Sequence, residues 1–286
     1  MPKPIDIPIV ALGPGSQPLE DDTLEYMAMP KEMYTHDAIS LPEREDLRDR
    51  HRVRDLLDDM LATARAYAPG EEDAIPHDLA HLDADDLASI NQILGVGEVS
   101  VTIDLPGGAI LAQESVLTGV WRVQRVDAAQ TVLDDHIEIA DVPHAVRTGS
   151  FPAQPGTLDP SAEAIAGVQN APALLSEIAD KVAAYTPGAP SHVINLTLLP
   201  LTREDLIHLG SELGVGPATI LSRGYGNCRV GATSVPNVWW VKYFNSQDAL
   251  ILNTIEVVDV PEVALAAPED FADTADRLRE ILALFQ

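Results

Sequence analysis

The feature that most limits what this chain can fold into is that it is written twice. Residues 56–70, LLDDMLATARAYAPG, return as LLSEIADKVAAYTPG at 174–188. Residues 85–101, DDLASINQILGVGEVSV, return as EDLIHLGSELGVGPATI at 204–220. GVWRV at 119–123 matches NVWWV at 237–241, and HIEIADVP at 136–143 matches TIEVVDVP at 254–261. The offset stays at 118 or 119 residues throughout. Four blocks at one spacing mark an internal duplication, so any fold proposed for one copy must also suit the other. The copies run over residues 43–144 and 161–262, with a linker at 145–160 rich in Gly, Pro, Ser and Thr. Residues 1–42 form an N-terminal extended segment, and residues 161–286 take in the second copy with a C-terminal helix.

Each copy changes period along its length. Leu47, Val53, Leu56, Leu57, Met60, Leu61 and Ala64 recur at helical spacing, which predicts a long amphipathic helix. Its twin is expected to start after Pro160, with Ser161 as cap. Both helices stop at a Pro-Gly pair. A shorter helix follows, with Asp83 or Thr202 as cap and Gly95 or Gly214 as the left-handed stop. The pattern then alternates through EVSVTIDL, AILAQES, GVWRVQRV and VLDDHIEIA, which predicts four strands parted by turns such as PGGA. The expected fold class is α+β: two tandem copies of a unit with two helices packed on a four-stranded antiparallel meander, plus a C-terminal helix over residues 268–285.

Charge narrows the partners. The formal net charge is −27, from 45 acids against 18 bases, which speaks against nucleic acid and against an anionic membrane surface. No apolar run reaches the roughly 20 residues that cross a bilayer, so no membrane insertion is expected. Three prolines among the first eight residues do not resemble a secretory leader, and the expected location is the cytoplasm. A single cysteine, Cys228, rules out an internal disulfide and a four-thiolate metal site in one chain. No cofactor and no metal is expected.

Several motifs weaken on inspection. His77 and His81 in HDLAH have the i,i+4 spacing of two ligands on one helix face, but neither the HExxH glutamate nor a third ligand accompanies them. LGVG sits between helix and strand, the reverse of a phosphate cradle. SRGYG lacks the Gly-x-Ser-x-Gly order of a hydrolase elbow. Glu138 and Asp141 recur as Glu256 and Asp259, which points to turn capping or an arginine partner at the sheet edge. No catalytic residue is assigned.

What remains is where the copies differ. Arg223, Tyr225, Asn227 and Trp240 stand where the first copy has Asp104, Pro106 or Gly107, Ala109 and Arg122. Trp121 and Trp239 match and read as core. Trp240 alternates to the opposite face. An outward aromatic beside Arg and a Gly-rich turn has the composition of a protein-binding hot spot, with packing against the long helix as the competing reading. The partner-binding candidates are Arg223, Gly224, Tyr225, Gly226, Asn227, Cys228, Arg229, Trp240, Tyr243 and Asn245. Alternation around Cys228 places Val230 and Ala232 on its side, the setting of a small buried residue.

VALGPGSQP near the start, ES..TGVWRV in the first copy and SRGYGNCR..AT....NVWWV.YFNS with LNTIEVVDVP in the second resemble the hydrogenase expression/formation proteins of the HupH/HyaF type. The resemblance implies a cytoplasmic, non-enzymatic accessory factor in maturation of an uptake nickel–iron hydrogenase. Its implied partners are the iron–sulfur small subunit before export, or other maturation factors. A thiol enzyme or redox factor using Cys228, and a small-ligand or metal carrier in the cleft between the copies, are the alternatives.

Overall fold

A computed structural model describes residues 42, 47, 49–68, 75–161, 166–223 and 227–285. The N-terminal segment, apart from Pro42, lies outside the described residues, as do Gly224, Tyr225 and Gly226. The chain is α+β, with helices and an antiparallel sheet in each of two compact bodies. The first copy runs α1 (His51–Ala66), β1 (His77–Asp78), α2 (Ala84–Leu94), β2 (Val99–Leu105), β3 (Gly108–Glu114), β4 (Val120–Asp127), β5 (Val132–Ile139) and α3 (His144–Gly149). The second runs α4 (Ala171–Ala183), β6 (His192–Asn195), α5 (Arg203–Leu213), β7 (Ala218–Ser222), β8 (Asn227–Ala232), β9 (Val238–Phe244) and β10 (Leu250–Val257), followed by α6 (Asp270–Leu282).

One body holds the first copy together with β7 and α6. Its strands are ordered β1-β5-β4-β3-β2-β7, all neighbours antiparallel. The apolar stripe of α1 is buried as its spacing predicts, with Val53, Leu57 and Met60 fully enclosed. It packs with Ile90, Ile93, Ile137 and Ile139, and with Phe271, Ala275, Leu278 and Ile281 of α6. The C-terminal helix, continuous in sequence with the second copy, thus completes the core of the first. Tyr67 stacks on Phe271 at 4.5 Å between ring centroids. Gly119 holds φ +76, and a Cβ there would stand 2.7 Å from the Phe271 ring, so the close approach admits only glycine. The other body holds α4, α5 and the order β8-β9-β10-β6.

Local signals decide most element ends. The Asp83 carboxylate accepts from the amides of Asp85 and Asp86. Thr202 and Asp205 form a reciprocal capping box. Gly95 and Gly214 end their helices at φ 56 and 62. Trp121 and Trp239 are core, each donating its indole N–H to a backbone carbonyl beyond β5 or β10.

Four expectations are corrected. Each copy carries an additional strand between its helices, β1 or β6, paired with the last strand of the meander. HDLAH is therefore no helix: His77 and Asp78 pair with Ile137 and His136, and His81 falls in the turn that follows. The second long helix starts at Ala171, not after Ser161, whose hydroxyl instead donates to Asp159. Pro172 in the first turn suits this later start. The linker contains a helix, α3, anchored where the backbone N–H of His144 donates to Glu138 and Arg147 makes two bonds to Asp141. Capping and arginine pairing are thus the roles that Glu138 and Asp141 take.

Each copy ties its two helices together through the same buried aspartate, three residues after the second helix's cap. In the first, Asp86 meets Arg50 at 3.4 Å and Arg52 at 3.1 Å at the start of α1. In the second, one oxygen of Asp205 accepts from the amides of Gln169, Asn170 and Ala171, and the other from Thr202. Burial would raise the pKa of this carboxyl, but the four amide donors outweigh it and bring it down to about 2. The stabilisation is complete above the unfolded value near 4 and is lost as pH falls toward 2. Asp205→Asn, with a single acceptor oxygen, is expected to lose about 2–4 kcal/mol at pH 7 and to flatten the acid limb of a urea-denaturation series.

Candidate functional site

Strands β8, β9 and β10 present two faces. Arg229 pairs with Lys242, Gly231 with Trp240, and Lys242 with Asn253. These residues share the face that carries Trp240, which packs with Leu175, Ile178, Leu206 and Leu209 of α4 and α5. Cys228, Val230 and Ala232 turn to the other face with Trp239, where Phe151 meets the indole edge-on at 5.1 Å.

The outward placement of Trp240 is overturned. It is 4% exposed and donates its indole N–H to Oδ1 of Asn253. Alternation correctly separates Trp239 from Trp240, but helices cover one face and chain from the linker covers the other, so neither points to water. Asn227 and Asn245 serve a turn: the Asn227 amide donates to Asp248 at 2.8 Å, and Asn245 accepts from the amides of Gln247 and Ala249. Tyr243 is half-buried and hydrogen-bonds Cys228. Arg223 is exposed and belongs with β7 in the other body. Among the described residues, the candidates therefore do not form one solvent-facing aromatic patch.

Cys228 is buried, and burial first, then repulsion from Glu256, push its thiol up to about 12. A nucleophilic thiol needs the opposite shift, so this one stays protonated at neutral pH.

A different constellation emerges when twin positions are compared across three strands. In the first copy the row reads Leu111, Gln124, Asp135, with Arg122 one step along β4. Arg122 forks onto both oxygens of Asp135 at 2.9 and 2.6 Å, and also donates to Asn91. Gln124 adds a bond to the same carboxylate at 3.0 Å. In the second copy the same places hold Arg229, Lys242, Asn253 and Trp240. The carboxylate has become an amide and two cations have arrived. Lys242 is 4% exposed, with its ammonium 5.1 Å over the Trp240 ring. Burial first, and then Arg229, bring its pKa down to about 7. Burial also lowers the pKa of Arg229, whose Nε has no hydrogen-bond partner. Of this set the sequence pointed to Arg229 and Trp240 but not to Asn253 or Lys242, the last of which the exchange of Gln124 for Lys at the twin position could have flagged.

A second cluster lies at the β1–β5 edge, in a hollow of about 280 Å³ lined by Pro76, Asp78, Asp134, His136, Glu138 and His144. His136 is held by Glu138 at 2.9 Å and Asp134 at 2.7 Å, and the Glu138 bond leads in raising its pKa. Among the described residues, no group of three or more His, Cys, Asp or Glu is placed to hold a metal ion. No helix among the described residues is long and apolar enough to cross a membrane.

The family model for the HupH hydrogenase expression protein, C-terminal conserved region, matches twice, over residues 51–163 and 168–285. The two matches fall on the two copies. The hydrogenase expression/formation protein HupH of Rhodobacter capsulatus is 49% identical over 280 residues, covering 96% of each chain. The hydrogenase expression/formation protein HoxQ of Cupriavidus necator is 44% identical, again over 96% of each chain. The hydrogenase-1 operon protein HyaF of Escherichia coli is 33% identical over 94% of each. The chain belongs to the HupH family of hydrogenase expression proteins.

The buried ammonium sets a pH dependence. With a folded pKa near 7 against an unfolded value of 10.5, the unfolded chain binds the extra proton between those limits, so this group makes stability rise with pH across that window. Lys242→Gln, the first copy's residue, is expected to remove that rise and to gain on the order of 1–4 kcal/mol at pH 7. Urea denaturation at pH 7, 8.5 and 10 measures both.

Proposed function

We propose that the chain is a non-enzymatic accessory factor in maturation of an uptake nickel–iron hydrogenase, and that it holds the iron–sulfur small subunit in the cytoplasm before export. The observation that carries this reading is the double family match, which covers both copies, together with relatives named as hydrogenase expression/formation proteins. The formal charge of −27 suits a basic segment on the client. The raised Cys228 pKa argues against a role that needs a thiolate. With Trp240 in the core, the contact residues kept from the sequence reading are the exposed Arg223 and, outside the described residues, Tyr225.

The test is capture of the hydrogenase small subunit on the tagged full chain, in cells that make the hydrogenase but whose export step is blocked. An antibody to the subunit should find it enriched with wild-type chain and with Cys228→Ser. Arg223→Ala and Tyr225→Ala should each reduce capture about tenfold, or ~1.4 kcal/mol, while melting barely moves. A small subunit absent from the wild-type capture overturns the reading.

A further inference from the structure

We propose that Glu114 is a proton-operated catch for α6: the C-terminal helix sits firmly on the first copy while this carboxyl is protonated, and loosens when it ionises. Glu114 ends β3 and is 8% exposed. Its Oε1 accepts from the amide of Gly119 at 3.1 Å. The Phe271 ring of α6 rests on Gly119, and the neighbouring carbonyl, of Thr118, accepts from the Thr274 hydroxyl of α6 at 2.8 Å. The carboxyl therefore holds the turn on which α6 is seated. The duplication supplies the control. Glu114 pairs with Trp121, and in the second copy Ala232 pairs with Trp239 in the same register, so the sheet does not require an acid at this place. The twin of Gly119 is Asn237, which carries the Cβ that Phe271 would not tolerate. The buried acid and the glycine occur together in the copy that receives α6.

An enclosed carboxylate is tolerated beside a cation or several donors. Glu114 takes one amide, and no lysine, arginine or histidine among the described residues acts on its protonation. The charged groups that face it are acids: Glu98 from the turn before β2, and Asp270 from the first turn of α6. From β4 the facing residue is Trp121, and the turn at 115–119 has no ionisable side chain. Burial leads in pushing the carboxyl up to about 7; the Gly119 amide works against it, and Glu98 and Asp270 add to it. When α6 lifts, water reaches the group and Asp270 withdraws, so the carboxyl returns toward its ordinary 4.5. The seated state thus keeps a proton that the lifted state releases between those limits. Rising pH across that window favours lifting, and outside it the balance is level. Lifting uncovers the α1 stripe that packs with Phe271, Leu278 and Ile281. The catch does not depend on the client proposed above.

The experiment measures hydrogen exchange of the Leu278 and Ile281 amides in the full chain at pH 5, 6, 7 and 8, corrected for the intrinsic rate and referred to the α5 amides. Protection of α6 relative to α5 should fall at least about tenfold between pH 5 and pH 8 in wild type. Glu114→Gln keeps the shape and an acceptor for Gly119 but cannot ionise, and its profile should be level. Should that variant fail to fold, Glu114→Ala, which installs the second copy's residue, takes its place with the same expected result. The Glu114 carboxyl carbon resonance should titrate with the same midpoint as the wild-type fall. A level wild-type profile, a fall in the folded variant equal to that of wild type, or a Glu114 midpoint at its ordinary value overturns the assignment.

Discussion

Each copy depends on one buried carboxylate at the start of its second helix. Asp86 and Asp205 are almost fully enclosed, and each reaches the beginning of the preceding long helix. An enclosed charge is tolerable only when its acceptor sites are filled. The first copy fills them with two arginines, the second with four backbone amides. The second solution also ends a helix, because the amides of Gln169, Asn170 and Ala171 have no partners inside α4. The same aspartate thus caps α5 from within and α4 from outside, which fixes the angle between them and the floor on which Trp240 rests.

Duplication lets the scaffold be separated from what was added to it. Features that match in both copies are architectural: the matched tryptophans, the glycine stops, the buried aspartate, and the left-handed turn held by Gly119 in one copy and Asn237 in the other. Features that differ were free to change. The exchange at Arg122, Gln124 and Asp135 is concerted, since an indole in place of a guanidinium has no use for a carboxylate and takes the amide of Asn253 instead. Lys242 belongs to the same exchange, its ammonium standing 5.1 Å over the ring of the new Trp240.

The parts legible in the sequence were those decided locally. The α1 stripe, the caps at Asp83 and Thr202 and the stops at Gly95 and Gly214 all depend on residues within one or two turns. The two-residue strand β1 was not legible, because its only support is its pairing with β5, far along the chain. The later start of α4 was hidden for the same reason: its cap is a side chain 34 residues downstream. The family could be recognised from long motifs, yet the state of Trp240 could not, since alternation separates two faces without saying that both are covered. Lys242 escaped notice because lysine in a strand reads as exposed unless its twin position is inspected.

The helix that completes the first copy's core follows the whole of the second copy in the chain. Phe271, Ala275, Leu278 and Ile281 all line that core, and β7 extends the same sheet. A nascent chain emerging from the ribosome therefore shows the apolar stripe of α1 long before its cover is synthesised. The first copy cannot close in the order in which it is translated, because its cover is synthesised only after the second copy, and contacts spanning more than 200 residues govern its closure.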